Sequence, residues 1–394
     1  MKDLASFAGF AVGALAIVSA CQSRKAPVAN TLTWEELPAP SWRIVARRGE
    51  KVLLVANRVI AQPYRTLIFE QGRVRDGPAG LADALVLRAP EATDTLHLYS
   101  IQVEGRRVLF TQMGEGPTPH ESPAEPGLYV VEHRDNLWLL SDSGAIQLTA
   151  DSAAGIARDT LRSQTAEGGP LLYWANRPLW KPDGSAIAFV TNRTWMLARE
   201  GGQEVWLVEP RSRMERPLLS ERGKFFSPDG WLGSELVFST RSSGIFAVNP
   251  QSNRRRQIAA GAVVAFSLRG SRLFYATFVG DTVRGQILTE RGTVTIPDPP
   301  PGERFSLGGA FSPGGDRLVL ETTFARDSGM TRALYVFELG AQRLTPITSW
   351  SFREAGRHPQ GFPVWLDDST LLLTQFDRAT GLESSTIVRL PSLR

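Results

Sequence analysis

Five aromatic residues in the second half of the chain each open a short, turn-like frame that runs into an apolar strand. The frames are Trp180-Lys-Pro-Asp-Gly184, Phe226-Ser-Pro-Asp-Gly230, Phe266-Ser-Leu-Arg-Gly270, Phe311-Ser-Pro-Gly-Gly315 and Trp365-Leu-Asp-Asp-Ser369, at steps of 46, 40, 45 and 54 residues. Pro presets one turn angle, Asp bonds back to the backbone, and Gly accepts a positive φ. The strands that follow include Ile187–Val190, Leu236–Ser239, Leu273–Ala276, Leu318–Glu321 and Leu371–Thr374. A third strand follows each of them, and a more polar fourth closes most units. Four short strands per unit at a period near 45 is the signature of a propeller blade, because a lone four-stranded sheet has two apolar faces and buries both only between neighbours. The expectation is an all-β β-propeller, with the frame aromatics, Trp180 and Phe311 among them, buried between blades.

These frames resemble the WD40-like repeats of the TolB-type β-propeller family, which are worded aromatic-Ser-Pro-Asp-Gly followed by Ile-Ala-Phe and a polar loop carrying Arg. Trp180 to Arg193 and Phe226 to Arg241 match well. Phe311 to Leu320 has Gly314 in place of Asp, the unit at Phe266 loses Pro and Asp, and the unit at Trp365 loses Gly. The resemblance covers about 172 to 391 and implies the fold rather than an activity, since propellers host many functions.

The first third is harder to divide. Trp42–Ala46, Lys51–Val55 and Arg65–Phe69 read as strands, with Gln71-Gly-Arg-Val-Arg75 as a fourth. A second set runs from His97 through Arg107–Thr111, Gly127–Val131 and Leu137–Leu140 to Ala145–Thr149. Two early units and five later ones make seven blades, with Asp83–Arg88 surplus. Six is the alternative if residues 31–90 form something other than a full blade. The last unit lacks a fourth strand after Leu390, and Thr31-Leu-Thr-Trp34 could supply it and lock the ring. Residues 113–126 read as an exposed Pro-rich excursion, 150–169 as a polar loop with room for a short helix near Ala153–Arg162, and Asp298–Arg304 as a stiff loop.

The amino terminus predicts an address. Residues 4–17 form an apolar run of signal-peptide length, shorter than a membrane span. Val18-Ser-Ala-Cys21 then resembles a bacterial lipobox, and Cys21 is the only cysteine in the chain. The expected organisation is a signal peptide over 1–21, a lipid on Cys21, a Pro- and Ala-rich tether over 22–40 and one propeller over 41–394. Gln22 after the cysteine implies sorting to the outer membrane in enteric bacteria. The expected location is therefore the bacterial cell envelope, at the outer membrane and facing the periplasm, held by the N-terminal lipid alone.

No Gly-x-Ser-x-Gly elbow is present, which argues against an α/β serine hydrolase of the kind that prolyl-oligopeptidase-like enzymes carry beside a related propeller. The four histidines are scattered without metal-ligand spacing, so no metal or other cofactor is expected. Asp367-Asp368 reads as a turn pair. The chain has 39 Arg against five Lys, yet a formal net charge of only +4, and nucleic acid is not an expected partner of an exported protein. In a propeller, the loop after each second strand and the loop leading into each blade share one face. Arg193, Arg241 and Arg378 fall in loops of the first kind, and Arg177 and His358 in the second. They form the candidate binding face, since Arg grips carboxylates through forked hydrogen bonds. The competing expectation is that each Arg pairs with an acid of its own blade.

The functional expectation is an envelope-anchored, monomeric, non-catalytic scaffold for a protein or peptide partner. The alternatives are a hydrolase or lyase acting on glycans or peptides in a central funnel, and a small-ligand or sugar sensor. Converging acids would favour the enzyme, and a face with exposed apolar residues would favour a protein partner.

Overall fold

A computed structural model describes residues 32–38, 41–56, 65–78, 84–88, 95–103, 105–111, 118–133, 135–149, 174–194, 202–240, 243–326, 329–351, 357–359 and 361–391. The signal peptide, Cys21, the helix expected near Ala153–Arg162 and Arg241 lie outside the described residues. All the described elements are strands.

Seven four-layered antiparallel blades form the ring. Blade 1 holds β2 (Trp42–Arg48), β3 (Lys51–Ala56), β4 (Thr66–Glu70) and β5 (Arg73–Asp76). Blade 2 holds β9 (His120–Glu121), β10 (Tyr129–His133), β11 (Asn136–Ser141) and β12 (Gly144–Gln147). Blade 3 holds β13 (Ala175–Trp180), β14 (Ile187–Thr191), β15 (Glu204–Val208) and β16 (Glu215–Leu219). Blade 4 holds β17 (Ser227–Leu232), β18 (Glu235–Thr240), β19 (Gly244–Val248) and β20 (Arg255–Ala260). Blade 5 holds β21 (Val263–Arg269), β22 (Arg272–Val279), β23 (Thr282–Thr289) and β24 (Gly292–Thr295). Blade 6 holds β25 (Arg304–Phe311), β26 (Arg317–Arg326), β27 (Gly329–Glu338) and β28 (Arg343–Ser351). In blade 7, β29 (Arg357–Pro359) and β30 (Val364–Asp367) share the inner position beside β31 (Thr370–Asp377) and β32 (Leu382–Arg389).

The amino-terminal strand β1 (Thr33–Glu36) supplies the missing outer layer of blade 7, running from Thr33↔Arg389 to Glu36↔Thr386. The ring is thus closed by joining the two ends of the chain. It begins at Leu32 rather than at residue 41, and Leu37 is already buried against Trp42, Leu366 and Ile387.

The early units divide differently from the sequence expectation. The strands around His97 and Arg107 do not belong to the blade at Tyr129. They form a separate three-stranded sheet, β6 (Ala84–Arg88), β7 (Thr95–Val103) and β8 (Arg106–Phe110), and the surplus segment is its edge strand. The sheet is wedged between blades 1 and 2. Ile101, Val108 and Phe110 pack on Leu53 and Ile68 of blade 1, while Leu96, Leu98 and Leu109 pack on Tyr129 and Trp138 of blade 2. Each blade can bury its faces only against a neighbour, so this insertion extends the core rather than interrupting it.

The Trp180 frame is the expected turn: Gly184 has φ +70° and its N–H donates to the Lys181 carbonyl at 2.8 Å. In blade 4 the same wording is not a turn. Phe226-Ser-Pro-Asp-Gly230 leads into and forms the inner strand β17, and the chain reverses later, at Gly233. The counterpart of Trp180 there is Trp231. The Trp180, Trp231 and Trp365 indoles each donate to a carbonyl of the preceding blade: His120 at 2.9 Å, Leu179 at 3.4 Å and Ala310 at 2.8 Å. All three rings are buried. The wedge role was read correctly, but one wedge sits five residues further along.

Candidate functional site: the ring face where the inner strands begin

Each inner strand enters at one face of the ring, and the hairpins joining second to third strands open on that same face. The inner strands are irregular near this end, with register shifts at Ile44/Ala46, Asn176/Leu179, Pro228/Gly230 and Phe305/Gly309 among others. Bulges re-aim side chains that regular pairing would send into the neighbouring blades.

Three successive blades contribute to one polar constellation near the axis. Arg177 sits in the β13 irregularity with φ +54°, a left-handed conformation uncommon outside glycine. Its exposed guanidinium crosses to blade 4, where Nη1 donates to Ser227 Oγ at 2.9 Å. Its backbone N–H points the other way, toward Glu132 Oε2 of blade 2 at 3.4 Å. Asp229 is the extra residue of the β17 bulge. Burial is the main reason its carboxyl is pushed up to about 6, against hydrogen bonds from Ser239 and the Arg177 charge, which oppose the shift. Asp229 Oδ2 and Asn176 Oδ1 are buried without a hydrogen-bond partner. Burial also raises the Glu132 carboxyl above its ordinary range, with Asp135 adding to the shift and Arg177 opposing it. A cation therefore lies beside two carboxyls that hold protons more tightly than usual, an arrangement able to bind polar groups or, at Asp229, to exchange a proton near pH 6.

Of the sequence-chosen residues that are described, Arg177 alone joins this constellation. Arg193 folds back on its own blade: it pairs with Glu215 and lies over Phe189 and Trp206, 5.5 and 4.9 Å from the ring centres. Arg378 is exposed at the β31–β32 hairpin tip of blade 7, four blades along the ring from Arg177. His358 is the middle residue of β29, in register with Phe376. The competing expectation of pairing within the blade therefore describes Arg193. Glu132, Ser227 and Asp229 were not singled out from sequence. The available signal for Asp229 was the second aromatic–Gly pair, Trp231 to Gly233, which could have freed Ser227–Gly230 from the turn assignment. Among the described residues no three His, Cys, Asp or Glu side chains are grouped to hold a metal ion.

The face is uneven. The second and third strands are 5 or 6 residues long in blades 2 to 4. They lengthen to 8 in blade 5, 10 in blade 6 and 8 in blade 7. The paired ladders of blades 5 to 7 therefore run two to five residues further than those of blades 2 to 4. Their ends expose Phe278 and Val279, Met330, and Leu382, and Phe225 is exposed in the loop leading into blade 4.

No known sequence family matches the chain, and no curated protein matches it either. Solved structures do. An oligogalacturonate lyase in complex with manganese superposes with a TM-score of 0.53 at 10% identity, over 92% of this chain and 97% of that one. An oligogalacturonate lyase from Vibrio parahaemolyticus gives 0.55 at 11% identity, over 92% and 98%. A putative TolB from Agrobacterium tumefaciens gives 0.38 at 14% identity, over 70% and 90%. At such identities the likeness is one of fold, and the fold is the β-propeller.

Proposed function

We propose that this chain is an envelope-anchored, TolB-like β-propeller lipoprotein, held by lipid on Cys21, that acts as a non-catalytic scaffold for a protein or peptide partner. The observation carrying this reading is the difference between the two ring faces. The face where the inner strands begin bears lengthened hairpins with exposed apolar ends and, on blades 2 to 4, a polar constellation whose exposed member is Arg177. The other face is built of short turns that hydrogen-bond within themselves, as at Lys181–Gly184 and Ser312–Gly315, and its exposed Met214 stands apart from the lengthened hairpins. Large apolar side chains exposed on a rigid ring mark an interaction surface. The test is crosslinking from this face in the native envelope, with photoreactive residues at Phe278 and, as a control on the opposite face, at Met214. A protein adduct specific to Phe278 is expected. Equal labelling from both positions, or none, overturns the reading.

Glu132 and Asp229 favour a second reading, an enzyme acting on glycans or peptides at the axial mouth. Similarity to oligogalacturonate lyases suggests oligogalacturonate as the first substrate to offer. Turnover by the purified chain that is lost in both Asp229→Asn and Glu132→Gln would replace the binding reading.

A further inference from the structure

We infer that the partner surface is centred off the axis, on blades 4 to 6, and fits an acidic, extended protein segment carrying apolar side chains. This rests on the binding reading above and assigns the partner its chemistry.

Four of the apolar anchors are adjacent on blades 4 to 6, and the fifth, Leu382, follows on blade 7. Phe225 leads into blade 4, Phe278 and Val279 end the blade 5 hairpin, and Met330 ends the blade 6 hairpin, at 62, 50, 51 and 54% exposure. Among the described residues, the exposed charges on the same arc are mostly basic. Arg222 and Lys224 precede Phe225, Arg284 stands on β23 and Arg304 opens β25, against the exposed acids Asp281 and Asp298. Guanidinium groups beside exposed aromatic rings suit carboxylates interleaved with apolar residues.

The relief of this arc argues for a protein segment over a lipid surface. Strands of 8 residues in blade 5 against 6 and 5 in blade 4 carry the paired ladder about 7 Å further than in the neighbouring blade, at about 3.3 Å per residue. A flat bilayer resting on those ends would leave Phe225 and Lys224 below it. A flexible segment can follow the step and reach both levels.

The test uses the chain beginning at Gln22, because ring closure and every core cluster lie within residues 32–390. The probes are a fluorescent synthetic peptide alternating Glu with Leu and Phe, a second with Lys for Glu, a third with Ser for the apolar residues, and phosphatidylglycerol vesicles. Anisotropy titration should show the Glu–Leu–Phe peptide binding best, and less tightly as salt rises. Phe225→Ser with Phe278→Ser should weaken it about tenfold, as truncating interface anchors does. Lys224→Glu with Arg284→Glu should weaken it and flatten the salt dependence. Met214→Ser, on the opposite face, should change nothing. These side chains are exposed, so unchanged thermal unfolding separates lost binding from lost fold.

Equal binding of the Lys peptide overturns the inference, as does equal sensitivity to Met214→Ser. Binding to vesicles alone assigns the arc to a lipid surface instead, and a dimer dissolved by the Phe substitutions assigns it to a second copy. If the peptide result fails while envelope crosslinks still form from Phe278, the scaffold reading stands and only this chemistry falls. If those crosslinks are absent too, both fall.

Discussion

The Arg177 guanidinium leaves its own blade and donates to Ser227 Oγ, 2.9 Å away on the inner strand of the next, from a backbone held at φ +54°. An arginine in this conformation carries strain that glycine would not. Replacing it separates the local cost from the contact. Arg177→Gly relieves the strain, whereas Arg177→Ala keeps it and still loses the contact. The Gly variant should be the more stable of the two by about 0.5–1 kcal/mol, read from urea unfolding. The opposite order would mean that the left-handed backbone is absent.

Asp229 makes stability depend on pH in a defined direction. Its folded-state value of about 6 lies above the ordinary 3.8, so the folded chain holds this proton more tightly than the unfolded one. Stability from this group is therefore full below the unfolded value, falls as pH rises between about 4 and 6, and is level above that. Asp229→Asn should remove this slope and raise stability at neutral pH by up to about 3 kcal/mol, from roughly two pH units at 1.36 kcal/mol each. A slope unchanged in the Asn variant would assign the titration elsewhere.

Trp231 should behave as a blade wedge. Its ring is buried and its indole N–H reaches the Leu179 carbonyl of blade 3. Trp231→Ala should cost about 3–5 kcal/mol, and Trp231→Phe, which keeps the packing and drops the hydrogen bond, about 1 kcal/mol. Calorimetry on both variants checks the order. A tolerated Ala would return the wedge role to Phe226 alone.

Arg317 ties blade 6 to blade 7. It is 2% exposed, pairs with Glu338 at 3.1 Å, and donates to the Asp368 and Pro391 carbonyls. Arg317→Met should destabilise by about 3–5 kcal/mol, because it leaves the buried Glu338 carboxylate with Arg343 as its remaining arginine partner and takes a donor from two carbonyls. Adding Glu338→Leu should recover part of the loss, and the double-mutant cycle in denaturant measures it. An additive pair would show that the two side chains do not act together.

Cys21 should be the first residue of the mature chain and carry lipid. Mass spectrometry of membrane-extracted protein checks this, and an intact Met1 or a free Cys21 thiol would refute the anchor. Cys21→Ala should leave thermal unfolding unchanged, since the ring begins at Leu32.

Much of the architecture was legible in the order of residues. The spacing from Trp180 to Trp365 predicted blades, and the missing fourth strand after Leu390 pointed to Thr31-Leu-Thr-Trp34 as the segment that could close the ring, which β1 does against β32. Both follow from local periodicity and from the requirement that every sheet face be covered. Two frames were not separable that way. Phe226 and Trp231 are both aromatic residues followed shortly by glycine, and both are buried. Only the pairing of Ser227 with Ser239 and of Leu232 with Glu235 shows which one precedes the turn.

The chain's own order thus determined the repeat, the blade type and the closure, because these depend on alternation and turn chemistry within a few tens of residues. The tertiary structure decided the rest. It placed a three-stranded sheet between blades 1 and 2, sent Arg193 back to Glu215, and brought Glu132, Arg177 and Asp229 to one end of the axis. Successive members of this trio lie 45 and 52 positions apart in the sequence. Their meeting depends on where each inner strand bulges and how closely the blades approach the axis, and neither is written in the spacing of any single repeat.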